Sequence, residues 1–217
     1  MSLLIEKFCL GPLETNCYVV CSDQDCWVVD PGLWPDPVLR FVADSARTCT
    51  QIVLTHGHGD HIGGVEQVRE SFPDASILCP AGDAGMLTDP AANLSRSLGF
   101  DLISPPADVL IEPGQGLSCG LSQWQVLDTS GHTPGGVSFY CESAETVITG
   151  DALFAGSIGR TDLPGAETAR LLENIKRNLL SLPEQTVVLP GHGPATTIGR
   201  QKRDNPFLQH SGGGLVD

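Results

Sequence analysis

Residues 55–64, with the sequence T-H-G-H-G-D-H-I-G-G, constrain this chain more than any other segment. Within six positions the segment carries three histidines and one aspartate, namely His56, His58, Asp60 and His61. It has too few apolar side chains to build a core, whereas imidazole and carboxylate groups are typical ligands of a metal such as zinc. The intervening glycines let the backbone fold tightly enough for these side chains to converge. The segment therefore predicts a metal site.

Apolar runs and turn residues along the rest of the chain predict a mixed α/β (α+β) fold. Strands are expected at residues 3–10, 16–21, 26–29, 51–54, 76–79, 109–127 (with turns at 113–114 and 118–120), 137–141, 146–149 and 186–189. Helices are expected at residues 35–46, 65–72 and 167–182, with a broken helix over 81–98, a glycine-rich loop over 152–166 and a polar tail from 196. Strands and helices alternate twice, which favours two β-sheets packed face to face with helices outside.

The charge balance argues against a nucleic-acid partner. The chain has 12 Lys and Arg against 26 Asp and Glu, a formal net charge of −14. Affinity for nucleic acid comes mainly from basic residues that contact phosphates, so we expect a small-molecule substrate instead. An anionic substrate is compatible with this surface charge, because two bound dications would invert the potential at a metal site.

The N-terminus and the cysteines indicate the cytoplasm. No apolar run approaches the length of a membrane span, and the first residues lack the basic leader and apolar length of a signal peptide. The eight cysteines form no C-x-x-C pair. They mostly lie in or beside apolar runs, which predicts buried thiols in a reducing compartment rather than disulfides. The sequence therefore predicts a soluble cytoplasmic protein without membrane contact.

Four segments share one form, in which a short apolar strand ends in a glycine-bounded loop with a potential ligand. Besides residues 55–64, these loops carry His132, Asp151 and His192. Five of the six histidines lie in such loops, and the sixth, His210, lies in the polar tail and is discounted. Seven ligands exceed the needs of one tetrahedral zinc and suit two metals that share a carboxylate and a water.

A physical division of these ligands assigns three residues to each metal. His56, His58 and His132 hold the first metal. Asp60, His61 and His192 hold the second, and Asp151 bridges the two.

This ordered set of ligands resembles the metallo-β-lactamase fold family over nearly the whole chain. Residues 11–18 (G-P-L-E-T-N-C-Y) and 156–162 (G-S-I-G-R-T-D) are similar to its glyoxalase II-like branch. The resemblance implies a four-layer αββα sandwich and a hydrolytic centre with two divalent metals, with zinc as first choice and iron or manganese also found. It also implies hydrolysis of a glutathione thioester such as S-D-lactoylglutathione by a metal-bound hydroxide. In that reaction Asp60 is the catalytic residue that orients the nucleophile and holds its proton.

The chain departs from typical glyoxalase II after the last ligand. Only about 25 residues follow His192 (217 − 192), too few for the C-terminal helical domain that supplies part of the glutathione site. We therefore expect one domain over residues 1–217, with substrate recognition by its loops. Arg160 is the candidate for binding a substrate carboxylate. The alternative is a surface arginine paired with Asp162.

The main alternative activity is that of a persulfide dioxygenase acting on glutathione persulfide, which shares the G-R-T-D stretch at residues 159–162. In that reading His56, His132 and Asp151 hold a single Fe2+ as a facial triad. An exported β-lactamase, an RNA-processing nuclease with a basic face and a non-catalytic metal-binding module fit the sequence less well. The sequence leaves the oligomeric state open.

Overall fold

The computed structural model describes residues 3–209 of the chain. The strands within these residues are β1 (Leu4–Leu10), β2 (Thr15–Ser22), β3 (Asp25–Val29), β4 (Thr48–Val53), β5 (Ser76–Pro80), β6 (Val109–Ile111), β7 (Gly116–Cys119), β8 (Ser122–Asp128), β9 (Val137–Cys141), β10 (Thr146–Gly150), β11 (Leu153–Phe154), β12 (Ser157–Ile158), β13 (Val187–Pro190) and β14 (Thr196–Thr197).

The α-helices are α1 (Asp36–Asp44), α2 (Gly59–Ile62), α3 (Val65–Ser71), α4 (Thr168–Asn174), α5 (Ile198–Asp204) and α6 (Pro206–Gln209). Short 3-10 segments cover Ala81–Thr88, Ser95–Leu98 and Glu142–Ala144, and a π-helical turn at Ile175–Leu179 extends α4. Within residues 3–209, none of the helices combines the length and the apolar character needed to cross a lipid bilayer.

Two six-stranded sheets form the centre of the molecule. The first has the order β1-β2-β3-β4-β5-β6, and it is antiparallel up to β3 and parallel from β3 to β6. The second has the order β14-β13-β10-β9-β8-β7, and β10 and β13 pair in parallel. Parallel strands present their carboxyl ends at one edge of a sheet, and loops at that edge commonly form binding sites.

Apolar side chains on alternate positions of the strands create three packed layers of contact. Between the sheets, Trp27 of β3 lies against Trp124 of β8 with ring centroids 5.9 Å apart. Helices α1 and α3 cover the outer face of the first sheet, and α4 and α5 cover the outer face of the second. The molecule is therefore an αββα sandwich, which confirms the predicted fold class.

The structure corrects several local predictions. The helix expected over 81–98 is wrong in type, because two 3-10 segments occupy it and Gly82, Gly85 and Pro90 disfavour a regular α-helix. The loop over 152–166 contains the β11–β12 hairpin. The polar tail contains β14, α5 and α6, which bury Ile198 and Leu208. The end of the predicted polar tail, with His210, lies outside the described residues.

The cysteines are unpaired, as the sequence predicts, and seven of the eight are buried. The exception is Cys9, which is exposed on the edge strand β1. Three thiols, Cys21, Cys26 and Cys49, lie on neighbouring strands and pack in the layer that α1 and α3 cover. Burial raises the pKa of the Cys119 thiol to about 12, so this thiol remains protonated at neutral pH.

The Trp27–Trp124 contact provides a test of the inter-sheet core. Trp27 is 1% exposed, so Trp27→Ala should leave a large cavity and lower the free energy of unfolding by about 3–5 kcal/mol. Urea unfolding of the chelator-treated protein measures this difference. The control, Leu121→Ala, removes a side chain that is 69% exposed and should change the same quantity by less than about 0.5 kcal/mol. Equal unfolding midpoints for both variants would contradict the packing described.

Candidate metal centre

Loops from the ends of four strands bring the seven predicted ligands to one edge of the sandwich. Strand β4 leads into residues 55–61, and the single helical turn α2 positions the last two ligands of this segment. Strands β8, β10 and β13 lead into the other three loops. The seven side chains that meet there are His56, His58, Asp60, His61, His132, Asp151 and His192.

The first predicted group consists of three buried histidines. One possible ligand atom from each of His56, His58 and His132 lies within 4.8 Å of the others. The closest approach joins His58 Nδ1 to His132 Nε2 at 3.0 Å. These three residues could hold one metal ion.

The second predicted group combines a carboxylate with two histidines. Asp60, His61 and His192 also offer ligand atoms within 4.8 Å of one another. Asp60 Oδ2 lies 3.2 Å from His192 Nε2 and 3.5 Å from His61 Nε2. The two Nε2 atoms are 3.3 Å apart.

Asp151 lies between the two groups. Its Oδ2 is 3.6 Å from His132 Nε2 and 3.6 Å from His192 Nε2, and its Oδ1 is 3.3 Å from His61 Nε2. A carboxylate with one residue of the first group and two of the second within this range can bridge two cations.

Outer hydrogen bonds fix which nitrogen each ring presents. The Nδ1 atoms of His132 and His192 donate to the backbone carbonyls of Arg160 (2.8 Å) and Leu13 (3.0 Å). A carbonyl only accepts, so these Nδ1 atoms carry hydrogen, and in the neutral ring Nε2 bears a lone pair. That lone pair is directed away from the carbonyl.

Two further rings are fixed from the same buried carboxylate. His61 Nδ1 contacts Asp30 Oδ2 at 3.0 Å. The Thr55 hydroxyl donates to the same oxygen at 2.6 Å, so its own oxygen is left to accept from His56 Nδ1 at 3.0 Å. Both rings are thereby held in the orientation that leaves Nε2 free.

Burial and neighbouring charges shift the pKa values of several ligands. Burial, followed by the neighbouring rings, keeps the pKa of His56 well below its usual value and lowers that of His58 to about 3. These two imidazoles are neutral at pH 7 and can act as ligands. Burial would raise the pKa of Asp60, but His61 and His192 outweigh it and hold that pKa well below the normal range. The carboxylate is therefore ionised.

The donor set fits bound cations. Lone pairs and carboxylate oxygens converge at 3.0–3.6 Å, a separation that nitrogen and oxygen acceptors tolerate only when a proton or a metal lies between them. Two buried atoms of this set, His56 Nε2 and Asp151 Oδ1, have no hydrogen-bond partner among residues 3–209. Imidazole and carboxylate together suit zinc, iron or manganese.

Asp30 is a functional residue that the sequence interpretation missed. It is 1% exposed, follows β3 with a left-handed backbone (φ 51°), and accepts hydrogen bonds from Thr55 and His61. One of its oxygens lies within 4.8 Å of a ring nitrogen of His56 and of His61. Both oxygens, however, already accept hydrogen bonds. The available signal was an aspartate at the end of an apolar strand, the same form that identified Asp151.

The start of β2 anchors the loop that carries His192. The Asn16 amide donates to the carbonyls of Pro190 and Gly193, both at 2.9 Å, and the Tyr18 hydroxyl donates to Pro190 at 2.7 Å. Thr15 completes this contact on the metal side by donating to Asp60 Oδ2 at 2.9 Å. The T-N-C-Y segment, whose role the sequence left unassigned, therefore joins the two sheets beside the site.

Asp83 ties together two of the ligand-bearing loops. This carboxylate is fully buried and accepts from the backbone N–H groups of Gly57 (3.1 Å) and Gly135 (2.6 Å). Gly57 separates the first two histidines, and Gly135 follows the third. Burial raises the pKa of Asp83 in spite of these hydrogen bonds. It supports the first group of ligands without being one of them.

Gly191 shows how little space the site leaves. A Cβ at this position would lie 2.1 Å from Asp151 Oδ1 and 2.7 Å from His61 Cε1. Only glycine lets the backbone that carries His192 approach the bridging carboxylate this closely.

A cleft of about 600 Å³ opens onto the two groups of ligands. It is lined by Leu13, His58, Asp60, Asn93, Leu94, Ser97, Leu98, His132, Asp151, Phe154, Arg160, Leu163 and His192. Concave sites of this size bind small molecules.

The position of Arg160 is compatible with both roles predicted from the sequence, substrate binding and pairing with Asp162. It lines the cleft, and its guanidinium also forms a two-point contact with Asp162, with Nε–Oδ1 and Nη2–Oδ2 distances of 2.9 Å and 2.8 Å. Both side chains are more than two-thirds exposed. An exposed pair of this kind contributes little to stability, so the guanidinium can exchange its partner at low cost.

Comparison with known proteins shows which superfamily and which relatives the sequence is similar to. A sequence profile of the metallo-beta-lactamase superfamily matches residues 10–192. The probable metallo-hydrolase YqgX of Bacillus subtilis is 41% identical over 200 residues, which cover 92% of this chain and 94% of that protein. The hydroxyacylglutathione hydrolase GloC of Haemophilus influenzae is 30% identical over 207 residues, covering 94% and 97%.

Solved structures agree with these matches. BLEG-1 B3 metallo-beta-lactamase is similar with a TM-score of 0.91 and 39% identity, covering 95% of this chain and all of that one. TTHA1623, solved in a di-iron-bound form, has a TM-score of 0.84 and 39% identity over 94% of this chain and all of its own. ETHE1 from Myxococcus xanthus has a TM-score of 0.79 and 28% identity, covering 94% and 83%.

The role of Asp30 can be tested through metal affinity. Asp30→Asn keeps the volume but places an amide where the Thr55 hydroxyl and His61 Nδ1 need an acceptor. We expect the affinity for the more weakly bound of the two zinc ions to fall about 10–100-fold. This is the usual loss when a carboxylate behind a ligating histidine is removed. Competition with a chromogenic chelator measures it. Asp44→Asn, on an exposed position of α1, is the matched control, and equal affinities for the two variants would contradict the role.

Proposed function

The chain belongs to the metallo-beta-lactamase superfamily as a metallo-hydrolase, and we propose that it cleaves a glutathione thioester such as S-D-lactoylglutathione. The observation that carries the proposal is the convergence of two ligand groups and a carboxylate between them at the base of one cleft. The match to a hydroxyacylglutathione hydrolase supports the thioester, since it extends over nearly the full length of both chains.

Two divalent metals would be held by the seven residues in the division given above. His56, His58 and His132 would hold one, Asp60, His61 and His192 the other, and Asp151 would bridge them. Zinc is the first choice for this set of nitrogen and oxygen donors, with iron or manganese as alternatives. When bound, such ions supply Lewis acidity toward a carbonyl and lower the pKa of a coordinated water toward neutrality.

Asp60 is the residue we assign to proton handling. Its ionised Oδ2 faces the cleft and contacts His192, while the Thr15 hydroxyl restrains it from behind at 2.9 Å. A carboxylate held in this way can orient the attacking water and accept its proton. Asp60 is therefore the proposed catalytic residue.

The chemistry of a thioester suits the groups that the cleft provides. Water adds to the carbonyl carbon, the C–S bond breaks, and the products are a carboxylic acid and a thiol. A thiolate leaves without prior protonation, so no strong general acid is needed. The lining residues contain no lysine, tyrosine or cysteine that could serve as one, whereas an amide or alkoxide leaving group would require it.

The domain organisation, the location and the kind of partner are also proposals. We infer one domain over residues 1–217, and the near-complete coverage of GloC by this chain supports it. The eight unpaired thiols support a reducing, cytoplasmic location. The charge of −14 supports a small-molecule partner rather than nucleic acid.

The second candidate function is persulfide dioxygenation with one Fe2+ on His56, His132 and Asp151. These three residues do lie together, with His132 Nε2 3.6 Å from Asp151 Oδ2. A single iron would leave Asp60, His61 and His192 facing one another at 3.2–3.5 Å with protons in place of a second ion. The presence of a complete second set of ligand atoms supports two ions and hence the hydrolase.

A substrate panel tests the reaction class. The zinc-loaded protein should hydrolyse S-D-lactoylglutathione and release the thiol, which a thiol reagent detects. It should consume no oxygen with glutathione persulfide and should cleave a chromogenic β-lactam more slowly, a substrate included because of the similarity to BLEG-1. Oxygen consumption by the iron-loaded protein, or β-lactam cleavage without thioester cleavage, would refute the proposal.

Arg160→Ala tests the proposed contact with a substrate carboxylate. Loss of this charge-assisted contact should raise KM for the glutathione thioester about tenfold and lower kcat less than about threefold, because the residue lies away from the reacting carbonyl. Arg200→Ala is the control, since Arg200 is equally exposed and pairs with Asp204 on α5. A KM equal to that of the Arg200 variant would show that Arg160 is a surface residue only.

A further inference from the structure

The cleft over the metal centre is divided by charge. Among the described residues that line it, Arg160 is the only one with a permanent positive charge. Its backbone carbonyl accepts from His132 Nδ1 at 2.8 Å, so this residue adjoins the His132 side of the site. An anionic part of a substrate is therefore attracted to that side.

Other parts of the cleft lining are apolar. Leu13 adjoins His192, whose Nδ1 donates to the Leu13 carbonyl, and the Phe154 ring lies 6.3 Å from the His192 ring. Leu94 and Leu98 come from a segment that docks directly on the metal-binding loop.

One backbone hydrogen bond makes this docking close. Gly59 N, between His58 and Asp60 in sequence, donates to Asn93 O at 2.7 Å. A Cβ on Gly59 would lie only 3.2 Å from Asn93 O, so the two backbones are in contact. Leu94, the next residue, is thereby fixed beside both ligands.

Leu94 has a backbone conformation that its side chain disfavours. Its φ of 67° and ψ of 0° lie in the left-handed region, where a non-glycine residue is strained. Strain of this kind persists only where surrounding contacts enforce it, and it is concentrated at functional sites. The position of Leu94 is therefore imposed by its neighbours.

Two buried polar residues impose it. The Asn93 amide donates to Met86 O and Leu102 O and accepts from Ser95 N, at 3.0–3.1 Å. The Ser95 hydroxyl accepts from Leu102 N at 3.0 Å. Because Asn93 uses its amide in these bonds, the exposed Ser97 hydroxyl is the polar side-chain group that the described lining keeps between Leu94 and Leu98.

The apolar side is also incompletely covered by the protein. Leu13 and Leu98 remain 43% and 49% exposed, although they line a concave site. Apolar surface in a cleft that is rimmed by polar groups is typical of a ligand-binding wall. A ligand group that covers these side chains gains affinity by removing them from water.

We infer that the cleft selects glutathione thioesters with an apolar acyl group over hydroxyacyl thioesters, and that Leu94 determines this preference. The inference rests on the proposed thioester hydrolysis. A carboxylate of the glutathione moiety lies toward Arg160, and the acyl group, on the other side of the scissile C–S bond, lies against Leu94 and Leu98. An apolar acyl group would cover these side chains, whereas a hydroxyl among them would lose its water with only the Ser97 hydroxyl of the described lining as a partner there.

A matched set of substrates tests the preference. S-D-lactoylglutathione and S-(2-methylpropanoyl)glutathione differ by a hydroxyl in place of a methyl group, and S-hexanoylglutathione extends the apolar chain. We expect kcat/KM of the wild-type protein to be at least about tenfold higher for the 2-methylpropanoyl and hexanoyl thioesters than for the lactoyl thioester, the size usual for a methyl or methylene group in an apolar pocket.

Leu94→Asn tests the residue. Asparagine adopts the left-handed region more readily than leucine, so the variant should fold with an unchanged melting temperature. It should reduce the hexanoyl-to-lactoyl ratio of kcat/KM about tenfold. The control is Ala46→Asn, at an exposed position with the same left-handed backbone (φ 55°) outside the cleft, and it should keep the wild-type ratio.

The outcomes distinguish failure of the proposed thioester hydrolysis from failure of the acyl-group preference. If no thioester is hydrolysed, the proposed function fails and this inference fails with it. If thioesters are hydrolysed but the lactoyl substrate is equal or preferred, the proposed function stands and the apolar preference is refuted. An unchanged ratio in Leu94→Asn, with the wild-type preference present, refutes the assignment to Leu94.

Discussion

The structure depends on holding acceptor atoms together that would otherwise repel one another. Nitrogen lone pairs and carboxylate oxygens of the seven residues approach to 3.0–3.6 Å in a buried site. Buried acceptors at that separation need a proton or a metal ion between them. Hydrogen bonds from the rings to Asp30, Thr55 and two backbone carbonyls therefore orient the histidines. Bound metal ions would meet this need.

The sandwich supplies this arrangement because it places strand ends from both sheets at one edge. The first sheet contributes Asp30 and the segment 55–61, and the second contributes the loops of His132, Asp151 and His192. Contacts between these loops are as specific as the ligands themselves. Asp83 joins the loops on either side of the first group, and Asn16 and Tyr18 join the sheets behind the second. Metal binding, sheet packing and loop conformation are thus properties of one set of contacts.

The sequence predicted the sandwich and the meeting of the seven residues because both depend on strong local patterns. Apolar runs of strand length are easy to recognise, and a histidine or aspartate directly after such a run is conspicuous. The missed features have weaker signals. Asp30 follows an apolar strand as Asp151 does, but its partners lie 25 or more positions away, and nothing local distinguishes Asp83 from a surface aspartate. The left-handed Leu94 and the helices of the polar tail result from tertiary contacts, made by Asn93 and by Ile198 and Leu208, that override local preference.

The central claim is that the site holds two metal ions, one on each group of ligands, with Asp151 between them. Elemental analysis of protein purified without added metal, referred to the protein concentration from amino-acid analysis, tests it most directly. The geometry predicts two metal ions per chain. One iron per chain, with no second ion taken up on titration with zinc or manganese, would contradict it and favour the single-iron arrangement on His56, His132 and Asp151.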